Sequence, residues 1–272
     1  MEKIDTHTHT YFSVDGKMDI FDLVKYAVGH DYSYIATTEH LDGDYLYCVD
    51  TRDVGQIDLN AYRKGFNDAK KQTPKGLYLA FGIECGYCGE AVPHYRDIFA
   101  KTAFDVIINS VHSVDGTDIY ISFAGEGWAK KYHDKKSFYL RYLEKILESA
   151  RADYPYHILG HIGYAARYID FSHDDIFNPA AVALTEEILF ELIKRGKTLE
   201  INAKGRGGRF IPNLAIVERY YKMGGRDISF GSDAHTTDGV GLNFEATTKI
   251  LADIGFDRWT VYVKGEKRFV GF

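Results

Sequence analysis

The sequence contains little cysteine and no long apolar run. Its three cysteines, Cys48, Cys85 and Cys88, are an odd number in a chain of 272 residues, which argues against a disulfide framework and favours a reducing compartment. Cys85 and Cys88 have C-x-x-C spacing, but no second pair exists to complete a tetrahedral zinc site. No stretch approaches a membrane span, and the first residues lack the apolar core of a signal peptide. We therefore expect a soluble, cytoplasmic protein without a membrane partner.

A strongly basic balance is also absent. The formal net charge is −6 and the pI is about 6.0, and no basic stripe or block of like charge suggests a nucleic-acid partner or a charged tail. Of the residues, 45% are hydrophobic, enough at this length for one large α/β domain. We expect a single domain over residues 1–272, and the sequence leaves the oligomeric state open.

Strand-like and helix-like patterns alternate along the chain. The predicted strands are residues 3–8, 34–38, 77–83, 104–111, 156–159, 198–203 and 228–230, with 260–263 as a possible closing strand. The predicted helices are residues 18–30, 59–72, 137–150, 180–195, 213–223 and 243–254, with loops at 115–136 and 170–179. Such repeated strand–helix units build a parallel sheet. When the sheet closes into a barrel, the active site lies at the carboxyl ends of its strands.

The segment Asp5-Thr6-His7-Thr8-His9 is the first sign of a metal site. Side chains alternate between the faces of a strand, so Asp5, His7 and His9 share one face. Two neighbouring imidazoles can bind a divalent metal through their ring nitrogens. A buried histidine is more often a packing residue than a ligand, so this pair needs support from elsewhere in the chain.

That support comes from further histidines and carboxylates that follow apolar runs. With Asp15 included, the candidate metal ligands are His7, His9, Asp15, His40, Glu84, His112, His161, Asp233 and His235. A zinc ion takes about four ligands, so this set suits two or three divalent ions. Mixed imidazole and carboxylate ligands favour Zn, Mn or Fe over Mg or Ca. Glu39 should point away from the ligands because strand side chains alternate.

Taken together, these segments resemble the polymerase-and-histidinol-phosphatase (PHP) family of metal-dependent phosphoesterases. They run from residue 5 to residue 235 and so cover most of the chain. The segments are Asp5-x-His7-x-His9, Thr38-Glu39-His40, Gly82-Ile83-Glu84, Ser110-Val111-His112, Gly160-His161 and Gly231-Ser232-Asp233-Ala234-His235. Two further stretches, from His161 to Arg167-Tyr168 and Glu200-Ile201-Asn202, are similar to members that act on histidinol phosphate.

The resemblance implies a distorted (β/α)7 barrel, similar to a TIM barrel, with a trinuclear site. A first metal would be held by His7, His9, Glu84 and Asp233. Glu84 would bridge to a second metal held by His112 and His161. The third would be held by Asp15, His40 and His235, although many relatives carry His where this chain has Asp15.

The implied activity is metal-dependent hydrolysis of a small phosphate monoester, with L-histidinol phosphate, in histidine synthesis, as the favoured substrate. Asp233 and His235 are the candidates for protonating the leaving alkoxide. Arg167, Arg206 and Arg209 are candidates for binding phosphate, because a guanidinium group matches it bidentately; Lys204 is a lesser option. Of Glu200 and Asn202, we expect strand alternation to turn only one inward, and we favour Asn202 as a substrate contact.

Three other functions compete with this interpretation. The first is a PHP phosphoesterase that acts on a nucleotide or another phosphorylated metabolite. The second is a non-catalytic metal-binding module, which the full set of ligand types disfavours. The third is a metal-dependent amidohydrolase, which also uses His-x-His on its first strand. Such enzymes usually carry a bridging lysine in mid-chain, where this sequence has Glu84.

Overall fold

Seven parallel strands form the centre of the computed structural model, which describes residues 2–47, 56–120, 129 and 131–272. In chain order the strands are β1 (Lys3–Asp5), β2 (Tyr32–Leu41), β3 (Tyr78–Gly86), β4 (Val106–Ser110), β5 (Ser113–Val114), β6 (Thr117–Asp118), β7 (Ile158–Leu159), β8 (Thr198–Asn202), β9 (Ile228–Gly231), β10 (Arg258–Val263) and β11 (Glu266–Gly271). The parallel sheet has the order β1-β2-β3-β4-β7-β8-β9. Its strands follow the chain order, as expected for repeated strand–helix units.

The first and last strands of this sheet meet and nearly close it into a barrel. The Thr6 amide donates to the Phe230 carbonyl at 2.9 Å, and the Asp233 amide donates to the His7 carbonyl at 2.8 Å. The buried Asp5 carboxylate accepts hydrogen bonds from the amides of Ser232 and Gly241. These bonds confirm the predicted (β/α)7 barrel, and they place both ends of the ligand set at one seam.

Nine α-helices of the described residues accompany the strands. They are α1 (Ile20–Gly29), α2 (Gly43–Tyr47), α3 (Leu59–Gln72), α4 (Val92–Lys101), α5 (Lys135–Ala150), α6 (His173–Ile176), α7 (Pro179–Lys194), α8 (Leu214–Lys222) and α9 (Phe244–Ile254). The six predicted helices are present within a few residues of their expected ends. Helix α4 was not predicted, because Tyr95 is its only fully buried side chain and the apolar period is weak. In the described part of the chain, no helix has the length and apolar character that crossing a membrane requires.

Residues 260–263 do not close the barrel, so that prediction is wrong. They belong to β10, which pairs antiparallel with β11 in a separate hairpin. The hairpin covers the amino ends of the strands. The Tyr34 hydroxyl donates to the Tyr262 carbonyl at 2.8 Å, and the Tyr262 hydroxyl lies 2.7 Å from Thr198 Oγ1. This end of the barrel is therefore sealed, and the opposite end is left for the site. That residues 1–272 form one domain stays a prediction.

The loop predicted at residues 115–136 is only partly described. It begins with the short β5–β6 hairpin and ends with a capping box, in which Asp134 accepts from the Ser137 amide at the start of α5. Residues 121–128 and 130 of the predicted loop lie outside the described residues. The hairpin leads into Tyr120. Asp118 and Tyr120 both line the main cavity at the carboxyl end of the barrel.

The cysteines differ from the expectation drawn from their odd number. Cys85 is a buried free thiol on β3, whereas Cys88 is disulfide-bonded. The two cysteines of the C-x-x-C segment are therefore not joined to each other. Cys48 lies outside the described residues. In the described part of the chain, the candidate metal-binding groups contain only histidines and carboxylates.

Candidate metal centre

A cavity of about 670 Å³ opens at the carboxyl end of the barrel. Seven of the nine predicted ligands line it, and the remaining two, His7 and His9, are fully buried at its base. The seven are Asp15, His40, Glu84, His112, His161, Asp233 and His235. The structure therefore brings the whole predicted set together, although its members lie up to 228 positions apart in the sequence.

His7 and His9 face each other across the base of the cavity. Their Nε2 atoms lie 3.0 Å apart. Asp233 Oδ1 lies 3.5 Å from His9 Nε2, and one atom from each of these three residues falls within a sphere that a single ion could occupy. His7 and His9 lie two residues apart in the segment that follows β1 and pairs with the segment after β9, so both imidazoles point the same way and the same seam supplies Asp233.

Glu84 is the centre of the cluster. Its Oε2 lies 3.3 Å from His7 Nε2, 3.4 Å from His9 Nε2 and 3.1 Å from His40 Nδ1. Its Oε1 lies 3.2 Å from His112 Nε2 and 2.9 Å from His161 Nε2. The two oxygens of one carboxylate thus face different sets of imidazoles. Burial raises the pKa of Glu84, but His7 and His112 outweigh it and hold that pKa well below its usual value.

Asp15 lies at the exposed rim of the cavity. Its Oδ2 is 3.0 Å from His235 Nε2, and its Oδ1 is 3.6 Å from His40 Nε2. Its partial burial opposes ionisation, but His235 and His40 lower the pKa of Asp15 to about 2. Asp19, four positions later, does not reach the cavity rim and instead caps α1, where its carboxylate accepts from the Phe21 amide.

The histidines of the cluster have pKa values shifted in opposite directions, according to the charges around each ring. Burial alone lowers the pKa of each ring. For His7, Glu84 and Glu200 overcome burial and raise the pKa well above its ordinary value. For His40, Asp42 and Glu84 raise the pKa to about 9. For His9, burial and the neighbouring rings of His40 and His235 lower the pKa. Without metal, protons on the His7 and His40 rings therefore offset the negative charge of the carboxylates. Metal cations can replace those protons.

The donor set fits divalent metal ions. Imidazole nitrogens point at one another from two sides, since the Nε2 atoms of His112 and His161 are also close, at 3.3 Å. Buried His40 Nδ1 lies 3.1 Å from Glu84 Oε2, and buried Asp42 Oδ1 lies 3.4 Å from His112 Nδ1, but neither contact has good hydrogen-bond geometry. Three groups of ligand atoms converge closely enough to hold an ion: His9 with His40 and His235; His7 with His9 and Asp233; and His40 with Glu84 and His112. Nitrogen-rich groups of this kind suit transition metals rather than Mg or Ca.

Glu200 contacts the cluster from behind, and sequence reasoning placed it wrongly. Its Oε1 is 2.5 Å from His7 Nδ1, while Asn202 accepts a hydrogen bond from Arg167. Both side chains are fully buried and face the barrel interior. The expectation that only one could face inward is wrong, because residues two apart on a strand share a face. Correct use of that rule would have identified Glu200 from the sequence.

Asp42 is a second residue that the sequence analysis missed. Its Oδ1 lies 3.6 Å from His40 Nδ1 and 3.4 Å from His112 Nδ1. It follows His40 by two positions at the end of β2, so the same spacing rule indicates the cavity side. Glu39, by contrast, lies outside the ligand groups, as predicted, and accepts hydrogen bonds from Ser13 and Thr10.

Of the three predicted arginines, only Arg167 reaches the cavity. Its Nη1 donates to Asp233 Oδ2 and its Nη2 donates to Asn202 Oδ1, both at 2.7 Å. Arg206 is exposed and pairs with Asp170, and Arg209 is also exposed; neither lines the cavity. Lys204, the lesser option, does line it, and its Nζ lies 3.1 Å from the Asp233 carbonyl oxygen. Asn202 lies behind Arg167 and does not line the cavity.

An aromatic and acidic wall surrounds the outer part of the cavity. Its members are Tyr45, Asp118, Tyr120, Tyr164 and Tyr168. The rings of Tyr164 and Tyr168 meet edge to face at 5.3 Å, and Tyr120 meets Tyr168 in the same way at 5.3 Å. The cavity thus offers charge at its base and flat apolar surfaces with hydroxyl groups at its mouth. This combination suits a small polar ligand with a ring.

A known domain family and several curated relatives match most of the chain. A model of the PHP domain family matches residues 5–204. Over 248 residues the chain is 29% identical to the "Probable histidinol-phosphatase" of Clostridium acetobutylicum, covering 90% of this chain and 91% of that protein. Over 276 residues it is 26% identical to the histidinol-phosphatase of Lactococcus lactis subsp. lactis, covering 94% and 93%.

A solved structure shares the fold. The crystal structure of the histidinol phosphate phosphatase from Lactococcus lactis subsp. lactis, in complex with zinc, L-histidinol and phosphate, superposes with a TM-score of 0.80. The two chains are 21% identical, and the match covers 98% of this chain and 99% of the other. At this identity the likeness concerns the fold, so the function must be argued from the site.

Proposed function

The chain belongs to the PHP domain family, and from that premise we propose that it is a metal-dependent phosphatase that hydrolyses L-histidinol phosphate to L-histidinol and phosphate. Histidine biosynthesis is the proposed pathway and the cytoplasm the proposed location. Nucleic acid is not a proposed partner, since the formal net charge is −6. The curated relatives over most of the chain length support the substrate, because they carry the name histidinol-phosphatase.

The position of Glu84 carries the proposal. One buried carboxylate contacts His7, His9 and His40 with one oxygen and His112 and His161 with the other. A carboxylate whose two oxygens face different imidazole groups is suited to contact two adjacent metal ions. Burying a glutamate carboxylate among five imidazoles carries a desolvation penalty, and stabilising the barrel alone would not require that penalty.

We assign the metal ligands from these contacts. His7, His9 and Asp233 would hold one ion, Glu84 with His112 and His161 would hold a second, and Asp15, His40 and His235 would hold a third. Two or three Zn, Mn or Fe ions are the proposed cofactors. When bound, they supply polarisation of the phosphate and activation of the attacking water.

The side chains then orient the substrate. Arg167 is held by Asp233 and Asn202, so its remaining guanidinium surface is fixed at the cavity edge for a phosphate oxygen. Lys204 supplies a second positive charge on the same side. The Tyr164 and Tyr168 rings form the surface against which a planar imidazole can stack. The proposed substrate contacts are therefore Arg167, Lys204 and the tyrosines, with Asn202 as the support of Arg167.

Neither candidate for protonating the leaving alkoxide, Asp233 or His235, supplies that proton from its own side chain. Burial raises the pKa of Asp233, but Lys204 and Arg167 outweigh it and hold that pKa well below its usual value. Asp233 is thus an acceptor at neutral pH. His235 lies at the open rim, where its Nε2 faces Asp15 and its Nδ1 lies 2.9 Å from the Asp233 carbonyl oxygen. Because His235 is also an assigned metal ligand, the leaving alkoxide takes its proton from solvent at this rim as the ester bond breaks.

The test is release of inorganic phosphate from L-histidinol phosphate by metal-analysed protein. Nucleoside monophosphates and sugar phosphates serve as competing esters under the same conditions. We expect a kcat/KM for L-histidinol phosphate well above that of every other ester, and loss of activity on chelation. Comparable, weak turnover of all esters would contradict the substrate. No phosphate release from any ester would contradict the phosphatase itself.

A further inference from the structure

We propose that Glu200 is a positioning residue that keeps the His7 ring in the form protonated on Nδ1, so that Nε2 is presented to the metal. The inference rests on the metal centre of the proposed function. It concerns how the first ligand of that centre is oriented, and Glu200 itself is not a ligand. A carboxylate that accepts the second N–H of a ligating imidazole fixes both the ring orientation and its tautomer.

Both oxygens of Glu200 are used within the site. Oε1 lies 2.5 Å from His7 Nδ1, and Oε2 accepts a hydrogen bond from the His161 amide at 2.5 Å. The side chains of Glu200 and His7 are fully buried. A rotation of the His7 ring by half a turn would point a carbon at the carboxylate and leave a buried negative charge without its partner. The energetic cost of that loss fixes the ring.

The barrel leaves space for this contact at one glycine. Gly231 lies at the end of β9, next to β8, where Asn202 and Gly231 are paired in register. A Cβ atom at Gly231 would collide with Glu200 Oε1 and would lie 2.8 Å from His7 Cβ. Without a side chain at residue 231, the Glu200 carboxylate can lie against the His7 ring. The backbone of the neighbouring strand is thus shaped around the Glu200–His7 pair.

The partner of His9 shows that this contact is particular to His7. His9 Nδ1 faces the Ser13 hydroxyl at 3.2 Å, and Ser13 in turn donates to Glu39 at 2.6 Å. His9 is therefore oriented through a neutral hydroxyl, whereas His7 contacts a carboxylate directly. A direct charged contact raises the basicity of a ligating ring more than a neutral one does. Loss of Glu200 should therefore affect metal binding more than loss of the Ser13 hydroxyl.

The experiment compares Glu200→Gln with Thr198→Val in the full-length protein. In Glu200→Gln the amide can accept from only one of its two donors, and its NH2 group then faces the other. Thr198→Val removes a buried hydrogen bond to Tyr262 at the opposite end of β8 and controls for general damage to the strand. Zinc affinity is measured by competition with a chromophoric chelator, and ring protonation by long-range 1H–15N NMR of labelled histidines.

We expect Glu200→Gln to weaken zinc binding by about 10- to 100-fold, whereas Thr198→Val keeps wild-type affinity. In zinc-loaded wild type, the signal assigned to His7 should show a proton on Nδ1 that exchanges slowly with solvent, and this signal should move in Glu200→Gln. Unchanged zinc affinity in Glu200→Gln would overturn the proposal. So would the absence of a protected Nδ1–H signal for His7 in the wild type, whether or not the variant folds. A wild-type protein that binds no zinc and releases no phosphate would instead contradict the proposed function.

Discussion

Arg167 and Asp233 form a buried ion pair inside the candidate centre, with Nη1 and Oδ2 2.7 Å apart and both side chains almost fully buried. The other oxygen of Asp233 faces His9 at 3.5 Å. One carboxylate therefore joins the cationic side of the cavity to the imidazole cluster. Because Arg167 also donates to Asn202, its guanidinium plane is fixed at two points.

This geometry predicts that Arg167→Lys will be poorly active. An ammonium group cannot maintain both contacts, and a charge-assisted hydrogen bond is worth about 1.5–3 kcal/mol. We expect kcat/KM for L-histidinol phosphate to fall by about 10- to 100-fold. Arg206→Lys is the matched control, because Arg206 pairs with Asp170 at the surface. Equal losses in the two variants would show that the Arg167 contacts are unimportant.

A second prediction concerns the imidazole ligands. His112→Ala removes a ring that lies 3.2 Å from Glu84 and 3.3 Å from His161. We expect activity to fall by at least about 100-fold, the scale of several kcal/mol of lost transition-state stabilisation. The number of bound metal ions, measured by elemental analysis, should also fall. His133→Ala changes an exposed histidine and should match the wild type. An active His112→Ala protein would refute the metal assignment.

Removal of the metal should affect both activity and stability. We expect a chelator to abolish phosphate release, and Zn or Mn to restore it. A ligand at about 100 times its Kd stabilises the folded state by about 2.7 kcal/mol, so the Tm should drop on chelation and recover on reloading. Mg at the same concentration should restore little, because imidazole nitrogens are poor ligands for it. Full activity in protein shown to be metal-free would exclude the proposed chemistry.

The fourth prediction uses His157, which lies at the sealed end of the barrel. Burial, followed by the nearby Lys197, lowers the pKa of His157 to about 4, and its Nδ1 accepts from the Ile107 amide. The unfolded chain binds the proton near pH 6.5, so folding stability is full above that pH and is lost as the pH falls toward 4. Between pH 7.5 and pH 5 the loss should be about 2 kcal/mol.

Denaturant titrations at the two pH values measure this loss. His157→Asn is the comparison, because its amide oxygen can accept from the Ile107 amide and does not titrate. The variant should lose about 2 kcal/mol less than the wild type between the two pH values. Metal release at acid pH affects both proteins alike and cancels in the comparison. An identical pH dependence in both would show that the His157 ring is not held neutral.

Much of the fold and the ligand set follow from local pattern. The His7 and His9 spacing on a strand turns both rings inward, and Glu84, His112 and His161 each end or follow an apolar strand. Because a parallel barrel gathers the carboxyl ends of its strands, this sequence pattern predicts the cluster without knowledge of any contact. The helix over residues 59–72 was predicted to its ends, since Asp58 caps it and Pro74 follows it.

The remaining features depend on contacts that are distant in sequence. Arg206 looked equivalent to Arg167 as a phosphate ligand, but the turn after β8 directs it to Asp170 at the surface. The hairpin β10–β11 has the composition of a barrel strand, and only the β1–β9 seam shows that the barrel needs no further strand. Glu200 does not depend on distant contacts. Residues 200 and 202 share one face of β8, so strand alternation alone places Glu200 inside the barrel, and the prediction that only one of the two faces inward was wrong.

The seam between β1 and β9 also bears on when the protein can acquire its metal. The Thr6 hydroxyl and the Phe230 carbonyl that meet there are separated by 224 positions. During synthesis His7 and His9 leave the ribosome long before Asp233 and His235 exist. A growing chain therefore holds only part of the ligand set, and the seam can form only after residues 230–235 have been synthesised. Loading of the full complement of ions thus follows synthesis of the whole barrel, and the cell's metal supply matters from that point onward.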